Sequence, residues 1–141
     1  MAKKKVFVSF DYENDKSYKY LLEAWDANSD FEFTFDDRSS GEINSWSIPV
    51  VKGALTKKIN SATYTFVIVG KEANKQHKDH KEIGFKNWIN FEVNRSKANK
   101  NKLLAIKLDK SYESPDELLN AGASWAYSFT KDAIMTALKN L

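Results

Sequence analysis

The strongest constraint on the fold is a short run, TYTFVIV, at Thr63–Val69. The run ends in four consecutive apolar residues and is rich in the β-branched and aromatic side chains that strands favour. A continuously apolar strand is buried on both faces, as the central strands of parallel sheets are. This segment therefore predicts a sheet that is covered by helices on both sides.

Four more segments share this composition, and helix-compatible stretches separate them. They are Lys5–Phe10, Phe31–Phe35, Leu103–Leu108 and Trp125–Phe129. Strands that alternate with helices form right-handed crossovers and a parallel sheet. We therefore predict an α/β fold of the flavodoxin-like type, with a five-stranded parallel sheet and helices on both faces. Lys5–Phe10 and Thr63–Val69 should be its central strands, because they are the most apolar segments.

Local signals predict where the helices begin and end. Ser47 precedes a first turn that contains proline, which is the pattern of a helix N-cap. Ser114–Glu117 resembles a capping box, which predicts that a helix begins there, and Gly122 is a suitable terminator for that helix. The other predicted helices are Lys16–Asp26, Asn87–Lys97 and a final helix capped by Thr130.

The chain of 141 residues is expected to form a single domain over residues 1–141, since it suits one core and contains no linker or internal repeat. Its 42% hydrophobic and 29% charged residues are the balance of a globular protein that folds unaided. No apolar run approaches the roughly 20 residues of a membrane helix, and the lysine-rich start leads into a strand rather than a signal-peptide core. We therefore expect a cytoplasmic protein with no membrane partner.

Composition also limits the chemistry. The sequence has no cysteine, which removes disulfides, thiolate nucleophiles and Cys-ligated zinc. The net charge of +3 is small and lysines alternate with acidic residues, so no nucleic-acid partner is expected. Neither a Gly-x-Gly-x-x-Gly fingerprint nor a Gly-Lys-Ser/Thr phosphate loop occurs, so any nucleotide must be held in another way.

Functional residues are expected where strands end, since parallel α/β sheets bind ligands outside the carboxyl ends of their strands. Phe10 ends the first strand and Asp11 follows it, and Asp37 follows the second strand, in a loop that runs from Asp36 to Ser47. Such residues also form ordinary turns and helix caps. The adjacent carboxylates of Asp36 and Asp37 suit a metal ion as well, but a turn is the preferred interpretation and no metal is predicted.

Both histidines of the chain lie in one lysine-rich segment, at His77 and His80, with Asp79 between them. This set has the right donors for a divalent metal. An open loop neither excludes water nor supplies the outer hydrogen bonds that metal sites use, so a solvated loop is the preferred interpretation.

The stretch WINFE brings Trp88 and Glu92 onto one face of a predicted helix near the ligand edge of the sheet. A carboxylate beside an indole is partly desolvated and held in place by packing. Spacing alone favours a simpler interpretation, in which Trp88 faces the core and an exposed Glu92 pairs with Arg95 or Lys86.

Several positions together change that balance. Val6–Phe10 with Asp15 downstream, and above all Trp88–Glu92, resemble the first strand and the Trp-x-x-x-Glu catalytic helix of bacterial Toll/interleukin-1 receptor (TIR) domains. More narrowly, the chain resembles the compact TIR-like ThsB proteins of the Thoeris anti-phage system, over nearly its whole length in the order of its elements. The loop between Asp36 and Ser47 departs from the common forms of the corresponding loop in that family.

The resemblance implies an enzyme that cleaves NAD at the nicotinamide glycosidic bond, with Glu92 as its catalytic residue. ADP-ribose would pass to water or back onto itself, and NAD would be the substrate, with no further cofactor. Because ligands bind outside the carboxyl ends of the strands, we also expect Phe10, Asp11, Asp37 and Trp88 to line one pocket with Glu92. The resemblance also implies self-association into an oligomer, a cyclic ADP-ribose-type signal recognised by a separate effector protein, and a phage-derived trigger.

Two other functions remain open from the sequence. One is a non-catalytic TIR-like interaction module, in which Trp88 belongs to the core and helix surfaces recruit partners. The other is an enzyme like the nucleoside deoxyribosyltransferases, a group that also uses a glutamate on a similar α/β scaffold to attack an N-glycosidic bond.

Overall fold

A computed structural model describes residues 4–26, 33–35 and 47–141 of the chain. The strands are β1 (Lys4–Ser9), β2 (Phe33–Phe35), β3 (Tyr64–Val69), β4 (Lys102–Lys107) and β5 (Ser124–Ala126). The helices are α1 (Tyr12–Asp26), α2 (Ile48–Asn60), α3 (His80–Ile83), α4 (Trp88–Ala98) and α5 (Lys131–Lys139), with a 3₁₀ turn at Asp116–Leu118. None of these helices is long and apolar enough to cross a membrane.

The strands form one parallel sheet in the order β2-β1-β3-β4-β5. Val8 of β1 lies opposite Phe66 of β3, which in turn lies opposite Leu104 of β4. This confirms the predicted fold class and the interior positions of β1 and β3. The chain winds outward in opposite directions from β1 and β3, so the carboxyl ends of these two strands form the switch point at which such sheets bind ligands.

Alternate side chains of β1 face two different cores. Val8 packs with Leu22 of α1 and Ile134 of α5 on one face of the sheet. Phe7 packs on the other face, with Leu55 of α2 and Phe91 of α4. All six residues of β3 are buried, because helices cover both of its faces.

The helices differ from the predictions in one boundary, one cap hydrogen bond and one additional helix. α1 begins at Tyr12 rather than Lys16, because the Asp11 carboxylate accepts a hydrogen bond from the Glu13 N–H and caps the first turn. Ser47 occupies the N-cap position of α2 but makes no side-chain cap hydrogen bond. α3 lies within the segment that was predicted to be a loop. By contrast, Thr130 caps α5 as predicted, since its Oγ1 accepts a hydrogen bond from the Ala133 N–H.

The helix predicted after Ser114 is wrong, because the structure forms only the 3₁₀ turn there. Two nearby residues, Asn120 and Gly122, have positive φ angles of 58° and 73°, which a continuing helix excludes. Side-chain amides from other elements accept hydrogen bonds from the N–H groups of Asp116 and Glu117. Those tertiary contacts satisfy the turn without a longer helix.

Candidate functional site

A cleft of about 1060 Å³ opens at the carboxyl ends of β1 and β3. Its walls come from the β1–α1 turn, the start of α2, residues 72–79 and the first turn of α4. Phe10, Asp11 and Trp88 all line it, so three of the predicted pocket residues lie together. Asp37, with nearly all of the loop that contains it, lies outside the described residues.

Glu92 does not line the cleft, which corrects the prediction that it shares a pocket wall with Trp88. Its side chain lies one helical turn further along α4 and is only 1% exposed. There it contacts β1, and Ser9 Oγ donates a hydrogen bond of 2.6 Å to Glu92 Oε1. Ser9 immediately precedes the cleft residue Phe10, so Glu92 lies beneath the cleft and on the predicted edge of the sheet.

The Glu92 carboxyl group is poorly compensated for its burial. Desolvation raises the pKa of Glu92 to about 8, and the Ser9 hydrogen bond opposes that rise only in part. Glu92 Oε2 is buried without a hydrogen-bond partner. The interpretation of Glu92 as an exposed partner of Arg95 or Lys86 is therefore wrong. A buried acid with one unsatisfied oxygen is the kind of group that concentrates at functional sites.

Trp88 has two structural roles. Its ring packs edge-on against Phe91, with 5.7 Å between ring centroids and 87° between planes, and it joins the core beneath α2 and α4. Trp88 also lines the cleft. The core interpretation of this indole and the ligand-facing one therefore both fit.

A second buried carboxyl group, that of Asp15, lies on α1 against the end of β3. Asp15 is 6% exposed, and its Oδ2 has no hydrogen-bond partner. Burial, with a smaller contribution from the nearby Asp11 charge, raises the pKa of Asp15 to about 6. A Cβ at Gly70 would overlap the Asp15 carboxyl group, so glycine is what allows this close approach. The contact fastens α1 to the carboxyl end of β3.

We expect Gly70→Ala to destabilise the protein by about 1 to 3 kcal/mol, because the added methyl group displaces the Asp15 carboxyl group. Urea unfolding measures the loss. Gly53→Ala is the matched control, since a Cβ at Gly53 meets nothing within 4 Å. The cost of Gly70→Ala should shrink in an Asp15→Ala background. Equal costs for the two glycine substitutions would contradict this account.

A network of buried asparagines fixes the first turn of α4. Asn87 caps the helix, because its side-chain oxygen accepts a hydrogen bond from the Asn90 N–H. The side-chain amide of Asn87 donates a hydrogen bond to the Lys75 carbonyl on the cleft rim. The Asn90 amide donates to Asn74 Oδ1, and its oxygen accepts the Glu117 N–H. Residue spacing indicates a helix start here but not this network. The network holds the cleft rim, α4 and the 3₁₀ turn together.

The histidine segment forms part of the cleft rim. His77 lines the cleft, and its Nδ1 accepts a hydrogen bond from the Asp79 N–H. Within residues 4–26, 33–35 and 47–141, no group of three or more His, Asp or Glu side chains is placed to hold a metal ion.

Comparison with known families agrees with this geometry. The model of the family described as "Thoeris protein ThsB, TIR-like domain" matches residues 7–113, which include Ser9, the cleft and Glu92. This chain belongs to that family. The match confirms the resemblance that the WINFE stretch and the first strand indicated. No curated protein matches the chain significantly.

Three solved structures share the fold of this ThsB-family chain. A 2-deoxyribosyltransferase from Bacillus psychrosaccharolyticus is 14% identical, with a TM-score of 0.57, and the match covers 94% of this chain and 95% of that one. A 2-deoxyribosyltransferase from Leishmania mexicana is 11% identical, with a TM-score of 0.58 and coverage of 98% and 99%. A prokaryotic SEFIR domain is 15% identical, with a TM-score of 0.52 and coverage of 98% and 89%. At these identities the similarity concerns the fold alone.

Proposed function

We propose that this chain cleaves the glycosidic bond between nicotinamide and ribose in NAD, with Glu92 as the catalytic carboxylate. The ADP-ribose unit would pass to water or close on itself to give a cyclic ADP-ribose-type signal in anti-phage defence. One observation carries the proposal: a ThsB-family chain buries a serine-bonded glutamate directly beneath a cleft at the switch point of its sheet.

The chemistry of that bond suits a single carboxylate. Cleavage develops positive charge on the ribose, as in other glycoside hydrolyses, and nicotinamide leaves as a neutral molecule that needs no general acid. An ionised Glu92 stabilises the developing charge most strongly where water is excluded. The hydrogen bond from Ser9 holds the carboxylate at the end of β1, next to the cleft residue Phe10.

The cleft has features that suit a dinucleotide. Its volume of about 1060 Å³ is at the upper end of the range of small-molecule sites. Trp88 offers an aromatic surface, whereas Phe10 is only 3% exposed. Lys75 and Lys78 supply positive charge on the rim, which also holds four acidic residues, Asp11, Glu13, Glu72 and Asp79. We propose that Trp88 or Phe10 packs against a ring of NAD and that Asp11 contributes a polar contact.

The partners follow from the same proposal. NAD is the substrate, and the signal product is recognised by a separate effector protein. Because the chain has no phosphate loop, we propose that a second copy completes the nucleotide site and that activity requires an oligomer. A phage-derived trigger would then act on assembly.

A second enzymatic function has a specific observation in its favour. Two 2-deoxyribosyltransferases share the fold over nearly the full length of both chains. In a transferase of that kind the carboxylate of Glu92 would attack the sugar of a deoxynucleoside and release its base. The third candidate, a non-catalytic interaction module, does not explain why the unsatisfied carboxyl group of Glu92 is buried.

One assay separates the two enzymatic functions. Concentrated protein is incubated with NAD and, in parallel, with each deoxynucleoside, and chromatography follows free nicotinamide and free base. The proposal predicts nicotinamide release from NAD and intact deoxynucleosides. Base release with intact NAD would favour the transferase.

A further inference from the structure

A second groove, of about 490 Å³, lies between α2 and α4 and shares no lining residue with the cleft. Lys52, Thr56 and Asn60 follow one another at four-residue spacing, so they form one stripe along α2. Phe91 and Arg95 face this stripe from α4. The groove is therefore a separate feature of the surface.

Three cations converge on this groove, and no acidic side chain lines it. Lys52 Nζ and Arg95 Cζ lie 5.5 Å and 5.6 Å from the centroid of the Phe91 ring, which holds both cations in place. Lys57 is the third. In the part of the chain that the structure describes, none of the three pairs with a carboxylate. The three positive charges repel one another, and a bound anion would reduce that repulsion.

Gly53 lines the groove. It lies in the interior of α2, where glycine is less favourable than alanine. Its φ angle is not in the left-handed region, and a Cβ there would meet nothing within 4 Å. A larger side chain at this position would extend into the open space beside the groove.

We propose that this groove binds a small anion of the polyphosphate class, such as a ligand that carries a pyrophosphate group. Arginine presents a planar fork of donors to phosphate oxygens, and the two lysines add point charges. The Thr56 hydroxyl and the Asn60 amide supply uncharged donors beside them.

The test is a titration of the full chain with inorganic pyrophosphate at low ionic strength, followed by two-dimensional NMR of the backbone amides. We expect saturable shifts at residues 52–60 and 91–95. Arg95→Gln should weaken binding by about tenfold or more, as expected for the loss of a hydrogen bond between charged groups. Lys139→Gln removes one exposed charge from α5, on the other face of the sheet, and should leave the affinity within about twofold.

A second variant tests the shape of the groove without changing its charge. Gly53→Leu places a side chain in open space, so it should maintain or raise the melting temperature while weakening pyrophosphate binding. Unchanged affinity in this variant would overturn the proposal. So would shifts that rise linearly at lysines throughout the chain, or shifts confined to the cleft. None of these results depends on whether the chain cleaves NAD.

Discussion

Glu92→Gln is expected to lower the rate of nicotinamide release from NAD by about a hundred- to a thousand-fold, the typical effect of removing one group that stabilises charge in a transition state. Glutamine keeps the size of Glu92 and still offers an oxygen to Ser9, so the fold should remain intact. It cannot supply negative charge. Initial rates of nicotinamide release, measured where the wild type is active, give the ratio.

Glu82→Gln is the matched control, because it removes an exposed carboxylate from α3 that does not line the cleft. Its rate should equal that of the wild type. A Glu92→Gln protein that releases nicotinamide as fast as the Glu82→Gln control would exclude Glu92 as the catalytic group. Loss of activity in both variants would instead show that the assay responds to charge in general.

The second large effect is a pH dependence of the same reaction. The ionised form of Glu92 is the active one, and burial raises the pKa of this carboxyl group to about 8. At low NAD concentration we expect kcat/KM to rise about tenfold per pH unit below pH 8 and to level off above it. Rates measured from pH 6 to pH 9.5 give the profile.

Saturating NAD should move the profile of kcat to lower pH, because the cationic nicotinamide ring favours the ionised carboxylate. A kcat/KM that is constant between pH 6 and pH 8 would contradict the proposed role of the buried acid. So would a decline over that range.

The same carboxyl group links stability to pH. The pKa of Glu92 is about 8 in the folded protein against an ordinary value of 4.5, so its neutral form stabilises the fold at low pH. That contribution is fully present below about pH 4.5 and is lost as the pH rises through 8. Relative to Glu92→Gln, the free energy of unfolding of the wild type should fall by about 1.4 kcal/mol per pH unit across this window.

The parts of the fold with strong local signals could be predicted from sequence. Phe66–Val69 are four consecutive apolar residues, and such a run is typical of a strand covered on both faces. Thr130 precedes α5 and caps it through its side-chain oxygen. These features depend on residues within about one turn of each other, so the chain itself displays them.

The site was predictable only in part, because its decisive contacts join distant residues. Ser9 and Glu92 are 83 positions apart, and their hydrogen bond depends on how α4 crosses β1. Helical spacing placed Trp88 and Glu92 on one face correctly. Spacing does not indicate that Trp88 reaches the cleft while Glu92, one turn further along the helix, is buried against β1. The contact between Asp15 and Gly70 is likewise set by tertiary packing alone.

The most direct test of the central claim is a crystal structure of the Glu92→Gln protein with NAD bound. Glu92 is 1% exposed in the free chain, so catalysis requires that NAD binding brings the side chain at position 92 to the reacting sugar. The account predicts the nicotinamide ribose at the floor of the cleft, with its anomeric carbon or hydroxyl groups about 3 Å from that side chain. NAD seated with its nicotinamide ribose away from a still-buried position 92 would contradict it.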